Sequence, residues 1–367
     1  MVILIPVIIV ICGLLSGILL FRRKTIPVIY ESRKQRSGKI SVIIPARNEE
    51  KNLPILLESL KRQLLQPDEI IVVDDHSIDR TKEIAESYGV IVLQATDLPE
   101  GWTGKNWAIW NGYQQSTGDV LIFLDADIHL EKEALLSLIN EQILQGGVIS
   151  IVPYHQMKKL YEKLAMIFNL LGAFVFISRF EQYNKRKGLY GPCIITTRED
   201  YETIGGHESI KAEMLDDLNL GVVFQKAGIR VSNYLGVKLI SFRMYPNGLK
   251  SQWEGFSKGA VQGTSVVSKL TLIPIIFWFL GIILSTSFFL FIHTTWFLPL
   301  VIGYVLYVIQ IYFINQSIGN FGIILPFFPI ISMVYFLLAY LYSAYQSIVR
   351  KKVIWKGRYV SVGRSKR

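Results

Sequence analysis

Between residues 270 and 349 the chain carries no Asp, Glu, Lys or Arg. A helix needs roughly 20 apolar residues to cross a hydrocarbon core of about 30 Å, and in lipid a helix satisfies its own backbone. The stretch therefore predicts membrane-embedded helices. It divides at His293-Thr294-Thr295 and at residues 315–320 (NQSIGN) into 270–292, 296–314 and 323–348. Pro326 and Pro329 mark the last piece as a broken helix, because proline lacks an amide donor and crowds the preceding turn. Two or three spans are expected. A second charge-free run, residues 1–21, is followed by Arg22, Arg23 and Lys24. A cleaved signal peptide carries its positive charges before the apolar run. The reversed order here predicts a retained anchor whose C-terminal side is cytoplasmic.

The formal net charge is +10. Residues 22–39 hold seven Lys/Arg and one Glu, and residues 350–367 hold eight Lys/Arg and no acid. These flanks, a basic linker (22–38 with Lys39) and a basic tail, carry +14, which leaves residues 40–269 at −4. Positive charge thus lies where apolar runs meet polar sequence, the pattern of cytoplasmic membrane flanks. An acidic middle region argues against nucleic acid as a partner. Three spans beginning in the cytoplasm would leave the basic tail outside. Either one segment is re-entrant or interfacial, or the charge rule does not hold for this tail. The two cysteines, Cys12 and Cys193, build no disulfide framework. A further apolar stretch, 160–176, starts among Lys158, Lys159, Glu162 and Lys163 and ends at Arg179 and Glu181. It reads as an interfacial helix near 160–178, with a membrane span and a buried core helix as the other readings.

The middle region, 39–269, alternates strand and helix patterns. Strands are expected at 39–46 (KISVIIPA), 69–73, 90–93, 119–124 and 148–152, and helices at 48–64, 79–88, 105–115 and 131–144. Such alternation implies right-handed crossovers and a mostly parallel sheet, whose ligands sit outside the carboxyl ends of the strands. The first strand ends in residues 45–50 (PARNEE), the second in Asp74-Asp75 and the fourth in Asp125-Ala126-Asp127. No G-x-G-x-x-G and no G-x-x-x-x-G-K-[ST] follows a strand.

Asp125 and Asp127 place two carboxylates on one side of an extended backbone. Paired hard oxygens suit Mg²⁺ or Mn²⁺; the plainer reading is a solvated turn. Asp74 and Asp75 can accept hydrogen bonds from a base or ribose, or cap the next helix. Residues 101–105 (GWTGK) put Lys105 at a helix start, where backbone amides and the ammonium suit a phosphate; a surface turn is the alternative. Asp216-Asp217, within an acidic cluster from Glu213, could supply a general base or merely open a helix. Arg243, Gln252, Trp253 and Lys258 precede the first C-terminal span, where they could grip a diphosphate or act as interfacial anchors. The five histidines show no zinc spacing and read as structural.

With PARNEE, residues 72–79 (VVDDHSID), GWTGK, Asp125-Ala126-Asp127 and Asp216-Asp217 in family order, the chain resembles family 2 glycosyltransferases of the GT-A fold. The flanking anchor and C-terminal spans, with residues 152–155 (VPYH), 205–207 (GGH) and 242–245 (FRMY), resemble a branch of carotenoid-glucosylating membrane enzymes. The resemblance implies an α/β, Rossmann-like GT-A domain between N- and C-terminal transmembrane helices. It implies a multi-pass cell-membrane enzyme with a cytoplasmic catalytic domain, moving glucose from UDP-glucose onto a lipid, a C30 carotenoid carboxylate, with inversion. Polyprenyl phosphate or a hopanoid is the rival acceptor, and a non-catalytic nucleotide-sugar-binding membrane protein the rival class. Carried over by motif, Ala46, Glu49 and Asp75 contact uridine, and Lys105 lies near the base or diphosphate. Asp127 binds the Mg²⁺ or Mn²⁺, with Asp125 near the sugar and ribose, and Asp217 is the base beside Asp216. Pro45, Asp74, Arg243 and Trp253 complete the expected donor-binding set. The family's usual Asp-Asp-Gly-Ser reads Asp74-Asp75-His76-Ser77 here, and its usual Glu-Asp reads Asp216-Asp217. The resemblance leaves protein partners open.

Overall fold

The computed structural model describes residues 4–31, 38–213, 215–264, 267–347, 352–355 and 358–361. Most of the basic tail and part of the basic linker lie outside the described residues. The chain forms two compact units. A sheet unit takes Lys24–His155 and Lys185–Arg243, and a helical unit takes Met1–Arg23, Gln156–Asn184 and Met244–Arg367. The division differs from a single cut at 269, since 156–184 and 244–269 belong to the helical unit.

The chain opens with α1 (Leu4–Leu20), which belongs to the helical unit. The sheet unit then runs β1 (Ile40–Ala46), α2 (Leu53–Lys61), β2 (Glu69–Asp74), α3 (Thr81–Ser87), β3 (Ile91–Gln94), α4 (Gly104–Gln115) and β4 (Val120–Leu124). The β-branched apolar runs become strands because both their faces are covered, as parallel strands require; β4 is buried along its whole length. The helix expected from 48 begins only at Leu53, with Pro54 in its first turn. Residues 48–52 are instead spent on a loop, in which Asn48, Glu49 and Glu50 bond to residues 77–81 beyond β2. After β5 (Ile128–Leu130), α5 (Ala134–Gln145), β6 (Val148–Val152) and β7 (Tyr154–His155), the chain leaves for α6 (Met166–Ile177) of the helical unit. It returns as β8 (Cys193–Thr197), α7 (Arg198–Thr203), α8 (Asp216–Lys226), β9 (Val231–Leu235) and β10 (Ile240–Phe242).

The main sheet has the order β3-β2-β1-β4-β8-β6-β9. All its pairs are parallel except those of β8, which runs antiparallel to both β4 and β6. The sheet is therefore mostly parallel, as expected, but β8 was not anticipated and sits between β4 and β6. A small sheet, β5-β10-β7, stands beside the end of β4. Ile43, Ile109, Leu121, Phe123, Ile194 and Phe224 lie in one core cluster, and Ile71, Val73 and Ala108 in another. At the amino-terminal edge, the Glu69 carboxylate takes hydrogen bonds from the Ser41 hydroxyl (2.5 Å) and from the amide (2.6 Å) and hydroxyl (3.2 Å) of Thr117. It thereby joins β1, β2 and the approach to β4.

The helical unit adds α9 (Leu249–Gly263), α10 (Lys269–Thr286), α11 (Phe297–Ile318) and α12 (Pro329–Tyr345). Among the described residues three helical segments are long and apolar enough to cross a membrane, 160–177, 269–286 and 297–318. The two 17-residue helices α1 and α12 are shorter, about 25 Å at 1.5 Å per residue. The break expected near Pro326 and Pro329 is present: a single 3₁₀ turn holds Pro326, and α12 starts at Pro329. The expected break at 315–320 falls later, because α11 continues to Ile318 and buries Asn315 and Ser317. In α6, Phe174 packs edge-on against Trp278 of α10 at 5.2 Å, and Phe168 against Phe336 of α12 at 4.9 Å. Glycines set the approach of α1, α10 and α11. A Cβ on Gly13 or on Gly281 would lie 2.1 Å from the Tyr307 hydroxyl oxygen. Small residues at such contacts let backbones meet in lipid, where burial of apolar surface gives no drive.

Two outcomes follow for the detergent-solubilised full chain. Gly281→Leu overpacks the α1–α10–α11 contact and is expected to cost about 1–3 kcal/mol, read as a lowered melting temperature. Tyr307→Phe removes a hydroxyl that has no hydrogen-bond partner and is expected not to lower it. In the sheet unit, burial raises the Glu69 pKa, but the hydrogen bonds from Ser41, Thr117 and Gly118 outweigh it and hold the carboxyl below its usual value. A depressed acid stabilises above its unfolded pKa, and this is lost as pH falls through the folded value. Glu69→Ala is expected to cost about 1–3 kcal/mol near pH 7, and the gap from wild type to close on acidification.

Candidate active site

Three strand ends build one rim of the sheet unit. The loops after β1 and β2 are tied to each other. Asn48 donates its amide to the Ser77 hydroxyl (2.9 Å), and its side-chain oxygen accepts from the Ile78 amide (2.9 Å). The Glu49 amide donates to the Thr81 hydroxyl (2.8 Å), and the Glu49 carboxylate accepts from Asn52 (2.7 Å). The Arg47 guanidinium donates to the carbonyl and the carboxylate of Asp75, both at 3.2 Å. Burial raises the Asp79 pKa, yet hydrogen bonds from Thr81 and the Glu50 amide win and hold it below its usual value. Pro45 and Ala46 end β1, and Ala46 is buried. The two acids after β2 differ. Asp74 is buried and accepts the Ser77 amide at 3.3 Å on each oxygen, so its carboxylate closes its own turn. Asp75 carries the Arg47 contact and lies 3.5 Å from His76. His76 and Asn48 both have φ +54°. The turn thus keeps a left-handed residue where glycine is usual, at a cost that histidine bears better than β-branched residues.

The centre of the rim is a cation among acids. The Lys105 ammonium lies 2.9 Å from Asp125, 3.5 Å from Asp216 and 3.9 Å from Asp217. These acids come from the end of β4 and the first turn of α8. Burial pulls the Lys105 pKa down, but the charges of Asp125, Asp216 and Asp217 outweigh it and hold the ammonium well above the ordinary lysine value. Local structure explains the meeting. Thr103 caps α4, and the wholly buried Asn106 donates to the carbonyls of Ile210 (3.0 Å), Lys211 (3.3 Å) and Glu213 (3.3 Å). The start of α4 is thereby fastened to the segment that leads into α8. A negative residue in the first turn of a helix is also favoured by the helix dipole.

Two residues of the site were not anticipated. Tyr190 lies between Gly188 and Gly191 on the approach to β8, and its hydroxyl is pushed upward by burial and by the charges of Asp127, Asp125 and Asp217. A Cβ on Gly191 would fall 1.8 Å from the Asp217 carboxylate, so only glycine lets Asp217 occupy its position. Paired glycines before a β-branched run were the available signal. His207, read as structural, is buried beside Asp216 and Lys105. Burial, resisted by Asp216 and aided by Lys105, lowers its pKa to about 4, so it is neutral at pH 7. Its Nδ1 pairs with the Tyr201 hydroxyl at 2.8 Å, while Nε2 has no hydrogen-bond partner. Arg243 directly follows Phe242, which pairs with Ile128 in the antiparallel β5–β10 register. That pair is the last of the register, and Arg243 and Asp127 are the next residues beyond it in the two chain segments. Trp253 belongs to the helical unit, where its ring packs near Tyr335 (5.6 Å) and Tyr342 (5.9 Å).

Among the described residues no group of three or more His, Cys, Asp or Glu side chains is arranged to hold a metal ion. Asp125 and Asp127 supply two hard oxygen donors, and the charges of both reach Tyr190. Such a pair fits a cation that completes its shell with water and substrate phosphates.

A model of glycosyl transferase family 2 matches residues 41–205. A relative from Staphylococcus haemolyticus (strain JCSC1435), named 4,4'-diaponeurosporenoate glycosyltransferase, is 36% identical over 95% of this chain and 96% of its own. A relative of the same name from Staphylococcus aureus (strain USA300) is 31% identical over 92% and 94%. The fold is also that of a mannosyltransferase from Pyrobaculum calidifontis solved with GDP-Man and Mn²⁺, with a TM-score of 0.55, 14% identity and coverage of 96% of this chain and 100% of that one. The His76 geometry is directly testable by thermal melting. His76→Gly is expected to melt within about 1 kcal/mol of wild type, and His76→Val to lose about 1–2 kcal/mol, the cost of a left-handed residue.

Proposed function

The chain belongs to glycosyltransferase family 2, and we propose that it moves glucose from UDP-glucose onto the carboxylate of a C30 carotenoic acid, inverting the anomeric carbon. The observation that carries this reading is the near full-length match to relatives named for diaponeurosporenoate. The charge belts support a multi-pass membrane enzyme whose sheet unit faces the cytoplasm. That location suits a soluble nucleotide-sugar and an acceptor that lives in the bilayer.

In this proposal Pro45, Ala46, Glu49 and Asp75 line the uridine side of the rim, and Asp74 holds the turn that presents Asp75. Lys105 and Arg243 face the diphosphate. Asp127 and Asp125 would hold the Mg²⁺ or Mn²⁺, which when bound would neutralise charge gathering on the departing diphosphate. A carboxylate oxygen of the acceptor attacks the anomeric carbon from the face opposite UDP. The new C–O bond forms as the bond to the β-phosphate oxygen breaks, and its electron pair leaves with UDP. An acceptor carboxyl with a pKa of about 4 is already ionised at pH 7, so no proton has to be removed. Asp217 then orients the acceptor and Asp216 supports it.

Membranes from cells expressing the full chain, given labelled UDP-glucose and the carotenoic acid, are expected to form a coloured, alkali-labile glucosyl ester. A colourless, acid-labile polyprenyl product would replace the acceptor assignment. Absence of UDP release with any lipid would remove the enzymatic reading. With the carotenoic acid, Asp217→Asn is expected to cost far less than the roughly 10²–10⁴-fold typical of a lost acid–base group. A collapse in rate with donor binding unchanged would show that a base is needed.

A further inference from the structure

We propose that Lys105 is a resident counter-ion that keeps a divalent cation out of the acidic rim until a nucleoside diphosphate draws the ammonium away. The inference rests on the metal-binding role given above to Asp125 and Asp127. The ammonium sits 2.9 Å from Asp125, 3.5 Å from Asp216 and 3.9 Å from Asp217. Asp216 is buried, and one of its carboxylate oxygens finds no hydrogen-bond partner, so the Lys105 charge is what compensates it. Tyr190, Gly191 and His207 close the same space with a phenol, a backbone and a neutral imidazole, none of which brings a positive charge.

A cation arriving alone must share Asp125 with that ammonium. Two like charges about 4 Å apart repel by several kcal/mol even at an effective dielectric constant near 20, so the pair is unfavourable unless one moves. A diphosphate changes the balance. It offers anionic oxygens to Lys105, whose flexible stem lets the ammonium swing, and it supplies the remaining oxygen ligands that two carboxylates cannot. Cation and nucleotide should therefore bind together, with each strengthening the other by the same factor. Asp216 and Asp217, released from Lys105, then turn to the acceptor only when the donor is in place.

The test is a titration of the full-length protein in detergent with Mn²⁺, following free Mn²⁺ by electron paramagnetic resonance, with and without saturating UDP. Wild type is expected to bind Mn²⁺ at least ~10-fold more tightly with UDP than without it, a fraction of the ion–ion term at these distances. Lys105→Gln is expected to bind Mn²⁺ alone at least ~10-fold more tightly than wild type and to gain less from UDP. Lys105→Arg keeps the charge and should remain weak without UDP. Equal affinity of wild type and Lys105→Gln for Mn²⁺ alone would overturn the proposal. So would a wild type that binds Mn²⁺ equally with and without UDP, a comparison that stands even if the glutamine variant does not fold. If no Mn²⁺ binds under either condition, the metal assignment fails, and the counter-ion proposal falls with it.

Discussion

One ammonium among three carboxylates is the constraint on which the site depends. Asp125, Asp216 and Asp217 each lie within 4 Å of the Lys105 nitrogen, and unit charges of opposite sign at about 4 Å attract by roughly 4 kcal/mol at an effective dielectric constant of 20. Without a cation the acids could not share this half-buried space. Their meeting also requires three distant pieces of chain to converge: the end of β4, the start of α4 and the start of α8. The buried Asn106 performs that fastening by binding three carbonyls of the segment before α8. The hydrogen-bond lattice between the loops after β1 and β2 holds the other side of the rim with the same economy, because backbone amides that leave the sheet must find acceptors.

The helical unit obeys a different rule. In a lipid-like setting apolar surface gives no drive to association, so close backbone approach and a few polar contacts carry the packing. Gly13 and Gly281 make room for Tyr307. Trp278 donates its indole N–H to Gln310 (2.9 Å), which in turn donates to the Leu14 carbonyl (2.9 Å). Glu181 accepts from the Ser268 amide (3.2 Å) and the Thr271 hydroxyl at the start of α10. These contacts match polar groups to a helix end or a neighbouring helix, as burial without water favours.

Much of this was legible from local pattern. The apolar, β-branched runs of β1, β2 and β4 and the acids that end them are short-range signals, since a strand's period and its terminus lie within a few residues. Pro326 and Pro329 broke the last helix where their covalent structure says they must. The failures have a common cause. β8 (CIITT) is as β-branched as β1, but its antiparallel place between β4 and β6 depends on partners about 45–75 residues away, which no periodicity records. The helix expected from Asn48 lost its first turn because Asn48, Glu49 and Glu50 bond to residues 77–81 instead. His207 carried no metal-ligand spacing, and only its burial beside Asp216 makes it part of the site.

By itself the sequence determined the two kinds of environment this chain must meet and the chemistry available in the watery one. A charge-free stretch must leave water, and acids placed after buried strands must gather at the strands' carboxyl ends. Tertiary structure alone decided which acid serves which end. Asp74 turned inward to close its loop, Asp75 stayed at the rim with Arg47, and Asp125 joined Asp216 and Asp217 on a single lysine. Those assignments rest on Coulomb interactions and hydrogen bonds that act over a few ångströms, between residues as much as 112 positions apart in the chain. Only the folded chain sets those distances.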